Sequence, residues 1–508
     1  MRHRIFYLCS SVAIVIVTLP GCSGTRHMAA QQTGVLAPPT VTDTRDADAH
    51  AFPQVGGPAY VAALVGESDE RTIKLTSASD ASEGYGEEPV PLTPVPIAEG
   101  NEGIGVWTLE ALEATALQNN PAIAQASASA HKAMGFRDQV GIRPNPTVGY
   151  NATQLADRGT DQHVAFVEQD FVTAGKLARN RNVLNQEIQS QLWEVETQRI
   201  RVQTDVRQRF YSALAAQRRL ALATEFRDIA QKGVEIAQAR VNAKEGSVPE
   251  VLQAEIQLTQ VEVQRRQAEA AFRGAWKQLM AVTGLGEMPP GTLSGMLPDS
   301  PTVGDVEPLR MQALSSSPEL QAARSRVARA RANVERQEVQ AIPNMSFQLA
   351  AGVDNGTDSG MINAQVGLPV PVFNRNQGNI AAAHAELSRA CQELKRIELS
   401  IASRMAGATQ EYESATAAVE QYRDMILPKA KQTLSLSEEA YGAGEFGFLQ
   451  VLVARRTYFE SNLEYVVAQS NLAQAEAYLR GLALSGGLSD TRDTEFDAGL
   501  RDQSLSGQ

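Results

Sequence analysis

The residues able to do chemistry are few and scattered. The chain has 508 residues and six His, and it contains no HExxH pair, no P-loop lysine and no paired CxxC, so the commonest zinc, phosphate and redox arrangements are absent from the sequence. His384 and Cys391 lie two turns apart on one face of a predicted helix and both atom types bind zinc, but two ligands fall short of a zinc site. They read better as packing or lumen residues. The isolated "GLG" at Gly284 to Gly286 follows a predicted helix rather than a strand, which makes it a helix stop and not a dinucleotide loop. Trp107, Trp193 and Trp276 suit a core or an interface better than a ligand platform. No cofactor is expected, and nothing in these residues argues for catalysis.

The N-terminus carries a different kind of chemistry. Arg2, His3 and Arg4 precede an apolar run from Ile5 to Leu19 that is too short for an ordinary spanning helix, as in a secretory signal. The "LPGC" that follows resembles the lipobox of bacterial lipoproteins, which would make Cys22 the acylated residue and residues 1–22 the signal. Ordinary signal cleavage a few residues later is the alternative. Ser23 resembles the residue found after the cysteine in lipoproteins sorted to the outer membrane. With Cys9 removed and Cys22 acylated, Cys391 has no disulfide partner, so stability must come from packing or assembly.

Composition bounds the rest. A net charge of −12 gives no support to nucleic-acid binding, and 6% aromatic residues suit long helices in thin layers better than a thick core. Residues 23–105 are rich in Pro, Gly, Ser, Thr and acids without a sustained apolar period, and are expected to form a disordered tether; 485–508 form a similar tail.

Between them lies one duplicated module. "ATALQNNPAIAQASASAHKA" around Pro121 matches "MQALSSSPELQAARSRVARA" around Pro318, and "IRPNPTVGY" matches "AIPNMSFQL", with matched positions about 200 residues apart. The two copies are assigned to 106–290 and 306–484, with 291–305 as a linker. Each is read as helix, two short strands, very long helix, helix. Met345, Phe347, Leu349, Ala351 and Val353 alternate with small and polar residues, and Ile362, Ala364, Val366, Leu368 and Val370 repeat the pattern after a turn. The first-copy strands, "TVGYNATQL" and "HVAFVEQDFV", alternate less cleanly. Four strands of about nine residues have the length of tilted membrane-spanning strands. An open sheet in lipid leaves edge groups unpaired, and four strands cannot close a barrel, so the strands must be pooled between copies.

The helices are equally unusual. Lys176 to about Ala243 contains no proline, and apolar residues return every three or four positions through Leu184, Ile188, Leu192 and Val195, predicting a helix of about 100 Å. The second copy repeats this from about Gly378 to Ala443, with a kink expected at Pro428. A strand that runs into such a helix without a globular linker needs a special junction. Pro369 and Pro371 end the ladder, Asn374 and Gly378 in "NRNQGN" supply turn and capping groups, and Gly175 forms the first-copy bend.

The duplicated order, the "P-x-P-x-F-N-R-N-Q-G-N" junction at Pro369 to Asn379 and the "Y-x-x-G-E…L-x-V-L-x-A" segment at Tyr441 to Ala454 together resemble the TolC family of outer-membrane efflux channels, over about Trp107 to Leu484. The junction wording is most similar to the CzcC-like components of heavy-metal cation pumps. The resemblance implies a mainly α fold with a small β part: a homotrimer whose twelve-stranded transmembrane barrel continues as a helical tunnel through the periplasm. It further implies a periplasmic adaptor and an RND-type inner-membrane pump as partners, and a passive duct rather than an enzyme. Docking and gating would fall at the hairpin tips, Ala243 to Pro249 and Tyr441 to Phe448, where Gly246, Ser247, Gly444 and Glu445 would meet the adaptor and the two glycines would permit the reversals. Glu245, Glu250, Glu439 and Glu445 would ring the narrow end and attract cations; acids at these positions also suit solvated helix ends. Two other readings stay open: a type I secretion channel, and a lipid-tethered periplasmic coiled-coil scaffold.

Overall fold

The computed structural model describes residues 105–156 and 159–489. Cys22, the tether 23–104 and residues 490–508 lie outside the described residues.

The first copy opens with β1 (Val106–Trp107), α1 (Leu109–Asn119) and α2 (Pro121–Val140). Two helices stand where the sequence suggested one, because Pro121 has no N–H to continue α1 and is well placed at the start of α2. Asn120 fixes the break: its Oδ1 accepts from Ala122 N at 2.9 Å, and its Nδ2 donates to the Val282 carbonyl at 2.8 Å. Next come β2 (Thr147–Thr153), β3 (Gln162–Phe171), α3 (Lys176–Asn242) and α4 (Val248–Thr283). The 67 residues of α3 span about 100 Å at 1.5 Å per residue.

After β4 (Thr292–Leu293), which pairs in parallel with β1, the second copy repeats the order. It consists of α5 (Glu307–Ser316), α6 (Pro318–Gln340), β5 (Met345–Asp354), β6 (Ser359–Gly367), α7 (Gln377–Gln421), α8 (Leu427–Gly442) and α9 (Phe448–Arg480). Ser317 caps α6 ahead of Pro318 as Asn120 caps α2 ahead of Pro121.

The long second-copy helix is interrupted by a π-helical turn, Tyr422–Ile426, which hands over to α8 with Pro428 in its first turn. The disturbance therefore lies ahead of the proline, where widening the turn removes the clash between the pyrrolidine ring and the preceding carbonyl.

Strands β2, β3, β5 and β6 form one antiparallel sheet in that order. The ladder ends at Ser346↔Gly367, so Leu368 and Val370 lie beyond β6 rather than within it. Pro369 cannot donate to a continued ladder.

Two main cores lie in the helical part. Trp276, fully buried, sits among Leu112, Phe210, Leu279 and Met280 in the first copy; Ile401, Met405, Leu472 and Leu479 do the same work in the second. The tryptophan indole donates to the Met288 carbonyl at 3.1 Å, so its polar edge is satisfied. Gly284 ends α4 with φ +75, and a Cβ there would come within 2.5 Å of the Asn119 carbonyl oxygen, so the glycine is a helix stop as expected.

Residues 291–305, the linker between the copies, form a strap tied to the second-copy helices. Thr302 donates from N and from Oγ1 to the two carboxylate oxygens of Glu476, each at 2.6 Å. Asp299 accepts from Tyr465 Oη at 3.0 Å and Gln469 Nε2 at 2.5 Å, and its carbonyl accepts from Arg423 in the π turn at 2.6 Å. The beginning of the expected tail is also fastened: Gly486 and Gly487 donate to Asp205 at 3.2 and 2.7 Å.

Candidate functional site

The sheet has two chemically different faces. Cross-strand registers place Val148, Val167, Leu349 and Ala364 in one row and Tyr150, Ala165, Ala351 and Ile362 in the next, all on one face. Among these large apolar side chains, Val148, Tyr150, Val167, Leu349 and Ile362 are exposed. The opposite face carries the row Thr147, Glu168, Gln348 and Gln365, and below it Asp170 and Ser346. An exposed apolar face backed by a mainly polar one, with no element packed over the apolar side, differs from a soluble sheet and suits a wall between lipid and a wet lumen. The register of the first-copy strands, which the sequence left loose, follows from these pairings: even-numbered residues of β2 and odd-numbered residues of β3 share the apolar face. β2 and β6 are open edges.

Each strand enters its helix through a left-handed residue. Gly175, φ +64, precedes α3, and Asn376, φ +61, precedes α7. The first junction is held by Thr173, whose N donates to Asn344 Oδ1 at 3.3 Å and whose Oγ1 donates to the Pro343 carbonyl at 2.6 Å. Lys176 Nζ donates to the same Asn344 oxygen at 2.9 Å, and burial pulls the ammonium pKa below its ordinary value. In the second junction Asn374 Oδ1 accepts from Asn376 N at 3.0 Å, and Asn376 Nδ2 donates to the Gln337 carbonyl at 2.7 Å. Asn376 is thus the residue that makes the bend; Gly378 stands one residue inside α7 with open space around it. Asparagine tolerates the left-handed region, but the motif holds Asn374, Asn376, Asn379 and Gly378, so the residue type alone does not pick out Asn376.

The hairpin tips repeat one geometry. Ala243 N, Lys244 N and Glu245 N donate to the carbonyls of Ala239, Val241 and Arg240, and Ala443 N, Gly444 N and Glu445 N donate to those of Glu439, Tyr441 and Ala440. Gly444 takes the left-handed position, φ +81, but its first-copy equivalent is Lys244, φ +62, and not Gly246. Gly246 matters for another reason: an added Cβ would stand 3.0 Å from Arg240 Cβ. Ser247 is the residue before α4 and makes no side-chain cap hydrogen bond. Glu245, Glu439 and Glu445 are exposed and Glu250 is half-buried; within one chain they are spread over the two hairpins.

The polar seam along α3 escaped the sequence reading. Lys176, Asn180, Glu187, Gln191, Glu194 and Gln198 are all buried. Three of them meet arginines of α6: Arg336 Nε donates to Asn180 Oδ1 at 2.6 Å, Arg329 stands 3.1 Å from Glu187, and Arg326 stands 3.4 Å from Glu194. Their spacing of three, four and seven is the coiled-coil period written in polar residues, which a search for apolar stripes passes over. His384 and Cys391 are exposed on α7, and no group of three potential metal ligands occurs among the described residues.

Strands with a lipid-type face passing directly into helices of about 100 Å define one wall segment of a channel that joins a membrane to a helical conduit. The chain belongs to the outer membrane efflux protein family, which matches residues 112–285 and 309–483. It is similar to the cobalt-zinc-cadmium resistance protein CzcC of Cupriavidus metallidurans, 26% identical over 376 residues, covering 74% of this chain and 89% of that protein. The outer membrane efflux protein BepC of Brucella suis is 27% identical over 355 residues, 66% of this chain and 74% of that one. In fold it matches CusC, with a TM-score of 0.60, 17% identity and coverage of 79% and 99%. VceC of Vibrio cholerae gives 0.60, 19%, 74% and 96%. The protein is a passive outer-membrane efflux channel that extends into the periplasm, not an enzyme.

Proposed function

We propose that three copies assemble into one duct, the exit stage of a tripartite pump, and that the exported substrate is a heavy-metal cation. The supporting observation is the four-stranded sheet with open edges at β2 and β6: three copies pairing β6 of one with β2 of the next give twelve strands and leave no edge in lipid. The helices agree with the same closure. Outer residues of α4, Val248, Leu252, Ile256 and Val263, are exposed along the helix, as is Leu436 of α8, and a neighbouring copy would cover them.

Energy would come from an RND-type inner-membrane pump coupled through a periplasmic adaptor that meets the tips at Gly246, Ser247, Gly444 and Glu445. In the trimer, Glu245, Glu250, Glu439 and Glu445 would be repeated around the narrow end and raise the local concentration of cations. The inner sheet face supports the cation reading, since it carries Glu168, Asp170 and Asp354 while the four strands contain no Lys or Arg. So does the similarity to a cobalt-zinc-cadmium resistance protein. Cys22 would add a lipid anchor. Deletion in the native host, followed by growth in cobalt, zinc and cadmium, tests the substrate. Lost tolerance restored by the full chain is the expected result; unchanged tolerance with loss of a secreted polypeptide would replace cation export with type I secretion.

A further inference from the structure

The fastening of the chain after α9 leads toward an open groove in the helical part. Gly486 and Gly487 donate to Asp205, the Gly487 carbonyl accepts from Gln198 Nε2 at 2.9 Å, and Gly487 stands against Val202. The described residues end at Ser489. Further along α3, Ala216 and Ala223 lie two and three heptads beyond Val202, and Arg219 lies two beyond Asp205. They therefore continue the same two lines of α3 on which the chain is fastened. There they line a groove of about 310 Å³ between α3, α4 and α9, walled by Ala268 and Ala271 of α4 and Leu463 of α9.

We infer that the C-terminal tail of the same chain docks in this groove, with Phe496 against its alanine walls and Glu495 and Asp497 at Arg219, and that it thereby ties α4 to α9. The contact is one within a single chain and does not depend on the number of copies or on what is exported.

Three observations carry this. The first is reach. Asp205 to Arg219 is about 21 Å at 1.5 Å per residue, and Gly487 to Phe496 is about 30 Å of extended chain. The second is charge. Residues 490–508 hold five acids and two arginines, whereas α3 from 206 to 224 holds four arginines and no acid. Arg207 is engaged by Glu113 and Arg209 by Gln278, but Arg218 and Arg219 are exposed and have no ion-pair partner among the described residues. The third is the match of apolar groups. Phe496 is the one aromatic residue of the tail sequence and stands between Glu495 and Asp497, so a ring suited to an apolar wall is flanked by carboxylates that pair with a guanidinium. Both α4 and α9 pack on α3 but scarcely on each other, which leaves the groove open to a further segment. A link of a few residues keeps the local concentration of the tail high, so these few contacts suffice.

Photocrosslinking in the full chain, extracted in detergent, reads the contact directly. With p-benzoylphenylalanine in place of Phe496, the expected adducts join the tail to peptides covering 216–223 or 263–271 and migrate on denaturing gels at the mass of one chain. Adducts of two-chain mass would assign the groove to the tail of a neighbouring copy, and adducts elsewhere, or none, would leave it to another occupant; each of these overturns the inference. Thiol accessibility gives a second readout. In a full chain carrying Ala268→Cys, with Cys391→Ser to remove the exposed native thiol, Phe496→Asp or Arg219→Glu should raise the labelling rate at position 268 several-fold, and added salt should act in the same direction. A rate that neither substitution changes contradicts the docking even where the photocrosslinker is not incorporated.

Discussion

Arg240 near the end of α3 and Tyr441 near the end of α8 are bound to each other: the guanidinium donates to the tyrosine hydroxyl, and its carbon stands 5.1 Å from the ring centroid. The same arginine donates to the Glu245 carbonyl at 3.1 Å, and Tyr441 packs against Phe448 with ring centroids 5.9 Å apart. One side chain therefore joins the two hairpins, 201 positions apart in sequence.

Arg240→Ala removes a partly desolvated cation–π contact and its hydrogen bonds, together worth about 1–3 kcal/mol locally. The expected outcome is faster amide exchange over 240–246 and 440–447 with the strands unaffected. Unchanged exchange at the tips would show that the apolar contacts of Phe448 and Val251 suffice.

Gly352→Ala should abolish correct assembly. An added Cβ would fall 1.8 Å from the His163 carbonyl oxygen, in the backbone of the paired strand, where no side-chain movement can relieve it. Heat-modifiable assembled species on gels should disappear, whereas Gly378→Ala, with open space at that position, should leave them intact.

Glu476→Ala frees both bonds to Thr302 and should loosen the strap. Hydrogen bonds to a carboxylate are worth about 1.5–3 kcal/mol each before relaxation, so limited proteolysis should cut within 294–306 at protease concentrations that leave the unsubstituted chain whole.

Acid should weaken α4 through Glu262. The guanidinium of Arg265, then that of Arg266, donates to its carboxylate and holds its pKa down to about 2. A carboxyl with a depressed folded pKa contributes stability above its unfolded pKa and loses it as pH falls toward the folded value. The melting temperature should therefore fall between about pH 4.5 and pH 2, and Glu262→Gln should reduce that fall.

Much of the fold was legible because the sequence repeats it. Strand pairs of alternating residues and a proline-free helix of 67 residues, each answered in the second copy, leave few arrangements in which the apolar stripes are all covered, although the break that Pro121 and Pro318 make in the leading helix was not read. What stayed hidden depended on partners distant in sequence. Glu187 and Glu194 look like surface acids until α6 brings Arg329 and Arg326 against them. Asp299 looks like a linker residue until α9 supplies Tyr465 and Gln469. At the tips, the glycine at 246 drew attention from Lys244, which holds the left-handed backbone because the cap hydrogen bonds over-determine it.

Shared closure of the sheet is tested most directly by the mass of the detergent-extracted protein from outer membranes, measured by light scattering with the detergent contribution subtracted. Three copies of the chain, whose full sequence has a mass of 54.7 kDa, are predicted. A particle of one chain, or of any number other than three, would contradict the twelve-stranded barrel.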